Sequence, residues 1–177
     1  MVEVVGRLRA REDRTRFAGI GLFQGLSAEE IEEVRRIARE RRVPAGQVIM
    51  REGEVGDSMF LFAEGEVLVT MNLTLKTGKR EFSQAEKSMV RLNARSVPFF
   101  GDMAMFENDV RSATITASTD CLLYEIKRED FESLASRSGL LGYKLIRKIA
   151  VVLCGRVRQG NQDILKLTTA LSIALSK

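Results

Sequence analysis

Between residues 41 and 126 the apolar residues follow a period of two, and the stretches that carry it are short. VIMR, MFLFAEG, EVLVTMNL, KSMVRLNA, SATITAST and CLLYEIK are rich in branched or aromatic side chains. Glycines at 46, 53, 56, 65, 78 and 101 interrupt them, and Pro44-Ala45-Gly46, Gly56-Asp57 and Thr77-Gly78 mark tight reversals. Strands this short and closely spaced leave no room for the crossover helices of a parallel sheet. The expected fold is therefore mainly β with flanking helices, an antiparallel β jelly roll (double-stranded β-helix).

On either side the period changes to that of a helix. In LFQGLSAEEIEEVRRIAR, residues 22–39, Ser27 and Glu30 form a capping box. Ile31, Val34 and Ile37 then share one face, with Leu26 placed to staple onto Ile31. REDFESLASR, residues 128–137, is a second short amphipathic piece. From Ser138 or Gly139 a longer helix is expected. With Tyr143 at heptad position a, Ala150, Val157, Ile164 and Leu171 also fall at a; Ile146, Leu153, Gly160, Leu167 and Ala174 fall at d. A stripe of that length implies pairing between two copies of the chain, with its first turns also suited to packing on the chain's own sandwich. Gly160-Asn161 is a candidate break. Three regions follow: a basic N-terminal arm or helix over 1–20, the jelly roll with its short helices over 21–137, and a dimerisation helix over 138–177. In the arm, Arg7, Arg9, Arg11, Arg14 and Arg16 are diluted by Glu12 and Asp13, as in a solvated helix or frayed arm; a docking arm for an acidic partner is the alternative.

Composition narrows the function. There is no histidine in the 177 residues. Its absence removes most metalloenzyme designs and the Ser-His-Asp and Cys-His triads; a carboxylate-only or lysine-based enzyme stays open, but nothing in the sequence groups such residues, and the expectation is a protein that is not an enzyme. Cys121 and Cys154 make no metal spacing and are expected to be buried thiols. The longest late apolar run, residues 149–154, is far shorter than a membrane span, and the charged N-terminus lacks a signal peptide's apolar core. A cytoplasmic protein with no membrane partner is expected. The net charge of +4 favours anionic partners without choosing one.

FFGDMAMFENDVRSAT, residues 99–114, is where anion chemistry concentrates. Gly101 allows close backbone approach, the MAMF turn after it can offer amide N–H groups, Arg111 supplies a cation with parallel donors, and Ser112 adds a hydroxyl. Each residue taken singly also has a plainer use. Arg111 suits an exposed loop, Gly101 a turn, and Ser112 and Thr114 the outward positions of a strand. Met103, Met105 and Phe106 suit the core.

The ordered motifs LFQGLS, PAGQVI, REGEVGDSMFLFAEGEV, FGDMAMF, RSAT and CLLYEIKREDF resemble the cyclic nucleotide-binding domain of catabolite-activator-like and nitrogen-fixation-regulator-like proteins. The resemblance covers about residues 20–160. It implies that 99–114 is a phosphate-binding cassette for cAMP or cGMP, with no other cofactor. Gly101, Met103 (through its backbone), Arg111 and Ser112 would then meet the phosphate. Asp102 would accept from the ribose 2′-OH and orient the arginine, while Thr114 and Arg156, the latter near Val157 and Gly160, would lie toward the base. The chain departs from the family pattern at Asp102 (glutamate is usual), at Val110 (often proline) and at Pro98 (usually glycine). The 36-position span from Gly65 to Gly101 implies an extended hairpin around LKTGKREFSQAEK. The expected role is a stand-alone homodimeric module that binds the nucleotide and signals through its C-terminal helix to a protein effector. The helical stripe runs to Lys177 with no helix-turn-helix after it, so direct DNA binding is not expected. The alternative is a degenerate copy of the fold that serves as an interaction scaffold without nucleotide.

Overall fold

A computed structural model describes residues 12–74, 84–86, 90–107 and 110–176. Arg7, Arg9, Arg11, Thr77-Gly78 and most of the LKTGKREFSQAEK segment lie outside the described residues.

Helical backbone at 12–18 (α1) leads into a 3-10 turn, Gly21–Phe23, and then α2, Ala28–Ile37. Among the described residues ten strands follow: β1 Ala38–Val43, β2 Val48–Met50, β3 Ser58–Glu64, β4 Glu66–Thr70, β5 Asn72–Thr74, β6 Gln84–Glu86, β7 Val90–Asn93, β8 Phe99–Phe100, β9 Thr114–Ala117 and β10 Cys121–Lys127. The helix α3, Asp102–Glu107, sits between β8 and β9; α4, Arg128–Arg137, and α5, Gly139–Leu175, close the chain. Two four-stranded sheets, ordered β1-β10-β3-β8 and β2-β9-β4-β7, form the jelly roll, with antiparallel pairing throughout. The backbone of β5 pairs antiparallel with that of β6, at the two ends of the expected hairpin.

The core has two layers, and one sheet serves both. Met59, Leu61, Leu122, Tyr124 and Ile126 face the helices. Phe60, Phe62, Cys121 and Leu123, from the same two strands, face the second sheet. Because β3 and β10 are buried on both sides, they read as nearly continuous apolar runs, SMFLFAE and CLLYEIK, whereas β4, in the second sheet, buries only Val67 fully. Phe17 packs edge-on against Tyr124 with ring centroids 4.8 Å apart, which holds α1 on this sheet.

The capping box forms as read: the Glu30 N–H donates to Ser27 Oγ at 3.2 Å, and the Ser27 N–H donates to Glu30 Oε2 at 2.9 Å. α2 is shorter than the 22–39 stretch because Ala38 already pairs with Ile126 in β1.

α5 is one helix of 37 residues and continues through Gly160-Asn161. A single glycine costs about 1 kcal/mol in a helix interior, too little to end a helix that propagates on both sides. Its buried residues are Leu141, Gly142, Leu145 and Ile149. Gly142 is needed for the approach to α4, since a Cβ there would stand 2.8 Å from the Ala135 Cβ. Tyr143 and Ile146 of the heptad stripe are exposed while its Leu153 packs against the core, so the helix packs on its own domain mainly through Leu141, Leu145 and Ile149, which the heptad does not mark. Beyond Arg156 every described residue of the helix is exposed. Cys121 is buried as expected, but Cys154 is exposed on this helix.

Leu134 of α4 is fully buried between α5 and the sheet. Leu134→Ala is expected to cost about 2–5 kcal/mol, measured as a lower urea midpoint at unchanged m-value.

Candidate functional site

Arg111 is buried to 6% exposure, and it is held by backbone. Its own N–H donates to the Glu54 carbonyl at 2.7 Å, and its carbonyl accepts from the Gly53 N–H at 2.9 Å. These two bonds fasten the segment after α3 to the loop between β2 and β3. The side chain then runs inward. Nη1 donates to the carbonyls of Ser58, at 2.6 Å, and Gly101, at 2.9 Å; Nη2 donates to Ser58 Oγ at 3.1 Å. Ser58 Oγ in turn donates to Glu125 Oε1 at 3.0 Å.

Two glycines make room for this guanidinium. A Cβ on Gly56 would fall 2.3 Å from Arg111 Nε, and one on Gly101 would fall 2.8 Å from Nη1. Gly101 also has φ of 76°, a left-handed conformation that favours glycine. Burial pushes the Arg111 guanidinium below its ordinary pKa, against the pull of the Asp57, Glu125 and Glu54 carboxylates. Among the described residues no carboxylate stands within salt-bridge distance of it.

Arg111 and Ser112 form the polar end of a cavity of about 600 Å3. Its floor is apolar: Met50, Val69, Leu92, Phe100 and Ile115, all from the strands. One wall is α3, through Asp102, Met103, Ala104, Phe106 and Glu107; the far side is α5, through Leu153, Arg156 and Val157.

Of the residues singled out in the sequence, Gly101, Asp102, Met103, Arg111, Ser112 and Arg156 line this one cavity. Thr114 does not. Its hydroxyl accepts from the Glu52 N–H at 3.0 Å, which ties β9 to the loop before β3, and the outward strand position is the one it takes. Gly160 lies a turn beyond the cavity, whereas Val157 lines it. Met105 is core, as expected. Met103 and Phe106 are instead exposed toward the cavity, because α3 has only six residues and buries just Asp102, Ala104 and Met105.

The Asp102 carboxylate is placed differently from the expectation that it orients the cassette arginine. At 4% exposure, it accepts from Arg156 Nη1 at 3.0 Å. Arg156 also donates through Nη2 to the Phe99 carbonyl at 2.5 Å and lies over the Phe99 ring, 4.7 Å from its centroid. The partner of Asp102 is thus the α5 arginine, 54 residues away. In the sequence Arg156 stands two residues before Arg158, and spacing gave no hint of its partner.

Among the described residues no group of His, Cys, Asp and Glu could hold a metal ion, and no helix is long and apolar enough to cross a membrane.

Residues 40–138 match the family model for the cyclic nucleotide-binding domain, and the chain belongs to that family. Over 134 residues, 76% of the chain, it is 39% identical to a cyclic nucleotide-gated potassium channel of Rhizobium etli, of which that match covers 33%. It is 27% identical to the cyclic AMP receptor protein of Thermus thermophilus over 82% of the chain and 61% of that protein. The crystal structure of the Thermus thermophilus catabolite activator protein superposes with a TM-score of 0.67 at 26% identity, over 83% of this chain and 62% of that one. A cyclic nucleotide-binding domain from Methylobacillus flagellatus gives 0.69 at 22% identity, over 88% and 84% of the two chains, a likeness of fold. The chain spans about a third of the length of the channel relatives.

Gly56→Ala is expected to cost about 1–3 kcal/mol by overpacking against the guanidinium. That cost should vanish in an Arg111→Ala background, so urea denaturation of the four proteins of the double-mutant cycle should give a large coupling energy. Equal costs in both backgrounds would mean that Gly56 serves something other than Arg111.

Proposed function

We propose that this chain is a regulatory module that binds a cyclic nucleotide, cAMP or cGMP, in the cavity at Arg111. The observation that carries the reading is a buried guanidinium with backbone and hydroxyl partners but, among the described residues, no carboxylate at ion-pair distance, at one end of a largely apolar cavity. A buried cation without a counter-ion favours an anion beside it. The cyclic phosphate meets Arg111 and the hydroxyl of Ser112, with Gly101 and the Met103 backbone alongside; the ribose hydroxyl meets Asp102; the base lies toward Val157 and Leu153. Family membership and the ligands for which the relatives are named, cyclic nucleotides for a channel and cyclic AMP for a receptor, support the ligand class. This is a binding role and not an enzymatic one.

Signalling passes through α5. A ribose hydroxyl at Asp102 shares or displaces the Arg156 guanidinium, which is one of the links between the cassette and α5. A ligand that engages one packing of α5 better than another shifts the equilibrium between them. The exposed seam of Val157, Ile164, Leu167 and Leu171 pairs with the same seam of a second copy. The homodimer then presents the change to a protein effector. One feature favours the second reading, a scaffold that binds no nucleotide: the acceptor expected for the ribose already holds an arginine.

Differential scanning fluorimetry distinguishes the two. At a hundredfold excess over its dissociation constant a ligand adds about 2.7 kcal/mol of stability, a rise of roughly 5–10 °C for a chain of this size. Arg111→Lys keeps a charge without the planar fork and should weaken binding by about tenfold to a hundredfold. No rise with the wild type at millimolar cAMP or cGMP would leave the scaffold reading. For the seam, Ile164→Glu with Leu171→Glu should convert a dimer to a monomer in sedimentation equilibrium. A wild-type chain that is already monomeric at high concentration would remove the pairing.

A further inference from the structure

We propose that Arg128, which does not line the cavity, is the residue whose side chain positions the α3 wall of the cavity, from a point where the backbone is tied to the loop that cages Arg111. This role rests on the nucleotide-binding reading of the cavity. Arg128 is the first residue of α4, directly after β10. Its side chain reaches back to α3: Nε donates to the Met105 carbonyl at 2.6 Å, and Nη2 donates to the Ala104 carbonyl at 2.6 Å. Its backbone N–H donates to the Asp57 carbonyl at 2.7 Å.

Each of these contacts falls on a part that cannot hold itself. The last four carbonyls of any helix lack an intrahelical donor, and α3, at six residues, is below the length at which a helix sustains itself. A planar guanidinium fork meets two adjacent carbonyls at once, which a single ammonium does not match. Arg128 thereby fixes the helix that presents Asp102, Met103 and Phe106 to the cavity. The other contact falls between Gly56, whose missing Cβ makes room for Arg111, and Ser58, which accepts from Arg111 twice. One residue thus joins the α3 wall to the loop that cages the cavity's cation, and anchors both to the β10–α4 junction.

The test compares wild type, Arg128→Ala, Arg128→Lys and, as a surface control on the same helix, Glu132→Ala. Amide hydrogen exchange is followed by mass spectrometry without ligand, and cAMP and cGMP are titrated by calorimetry. In Arg128→Ala, peptides over 102–107 should exchange at least about tenfold faster, while those from β3 and β10 keep wild-type rates. Nucleotide affinity should fall by about tenfold or more, with Arg128→Lys between the two and Glu132→Ala at wild type. Unchanged exchange over 102–107 overturns the clamp, whether or not nucleotide binds. Faster exchange there with undiminished affinity overturns the positioning role and leaves the nucleotide reading intact. Faster exchange in every peptide, in Arg128→Lys as well as in Arg128→Ala, overturns it in favour of general support of the fold. A wild type that binds neither nucleotide ends the nucleotide reading and the ligand-positioning role with it, and the exchange data then decide the clamp alone.

Discussion

A guanidinium taken out of water is the constraint around which this molecule is arranged. Removing a charge from water is costly unless polar groups replace the solvent. Here the replacements are the carbonyls of Ser58 and Gly101 and the hydroxyl of Ser58. Carbonyls solvate the cation without neutralising it. Their placement requires the β2–β3 loop and the β8–α3 junction to come within bonding distance of one side chain. That is why glycines stand at 56 and 101, where any larger residue would strike the arginine. The jelly roll supplies the frame, because β3 pairs directly with β8 and so brings Ser58 and Gly101 to the same end of one sheet.

The rest of the site is held by a second and a third arginine. α3 is too short to be placed by its own hydrogen bonds. Arg156 from α5 grips its first residue, Asp102, and Arg128 from α4 grips the two carbonyls at its middle, those of Ala104 and Met105. α3 is therefore strung between the two C-terminal helices, which pack on each other at Gly142 and Ala135. Any displacement of α3 must strain one of these bonds or move a helix. A fold of this kind can pass a local change in the cavity to α5 without rearranging either sheet.

What the sequence disclosed follows the range of the interactions. The Ser27–Glu30 capping box spans one turn and was legible from spacing alone. The strands and the glycine turns were legible because alternation and positive φ are local properties. The apolar stripe of α5 was legible too, but not which face would turn inward: Leu141, Leu145 and Ile149 are four residues apart and answer to the sheet and α4, not to the heptad. The effect of Gly160 was misjudged because propensity weighs less than the propagation of a long helix. The partners of Asp102, Thr114 and Arg128 lie 54, 62 and 23 or 24 residues away, and no local pattern encodes them. Met103 and Phe106 carry the composition of a core, yet they face a cavity, because the six-residue α3 buries only Asp102, Ala104 and Met105.

The two arginines of the cavity differ in a way that gives it a direction. Arg156 is paired with a buried carboxylate, so an anion arriving there meets Asp102 as well and gains little. Arg111 meets carbonyls and a hydroxyl at bonding distance, and its nearer carboxylates act on it only across the field, so an anion arriving there meets a charge that is solvated but not cancelled. Hydroxyl groups have the opposite preference, since a carboxylate accepts from them and a guanidinium already bound to carbonyls has less to offer. On the function proposed above, a ligand with a single anionic oxygen centre beside a sugar hydroxyl would be oriented by these two preferences: phosphate to Arg111, hydroxyl to Asp102. Its third part would then face the apolar side chains that α5 contributes to the cavity, Leu153 and Val157.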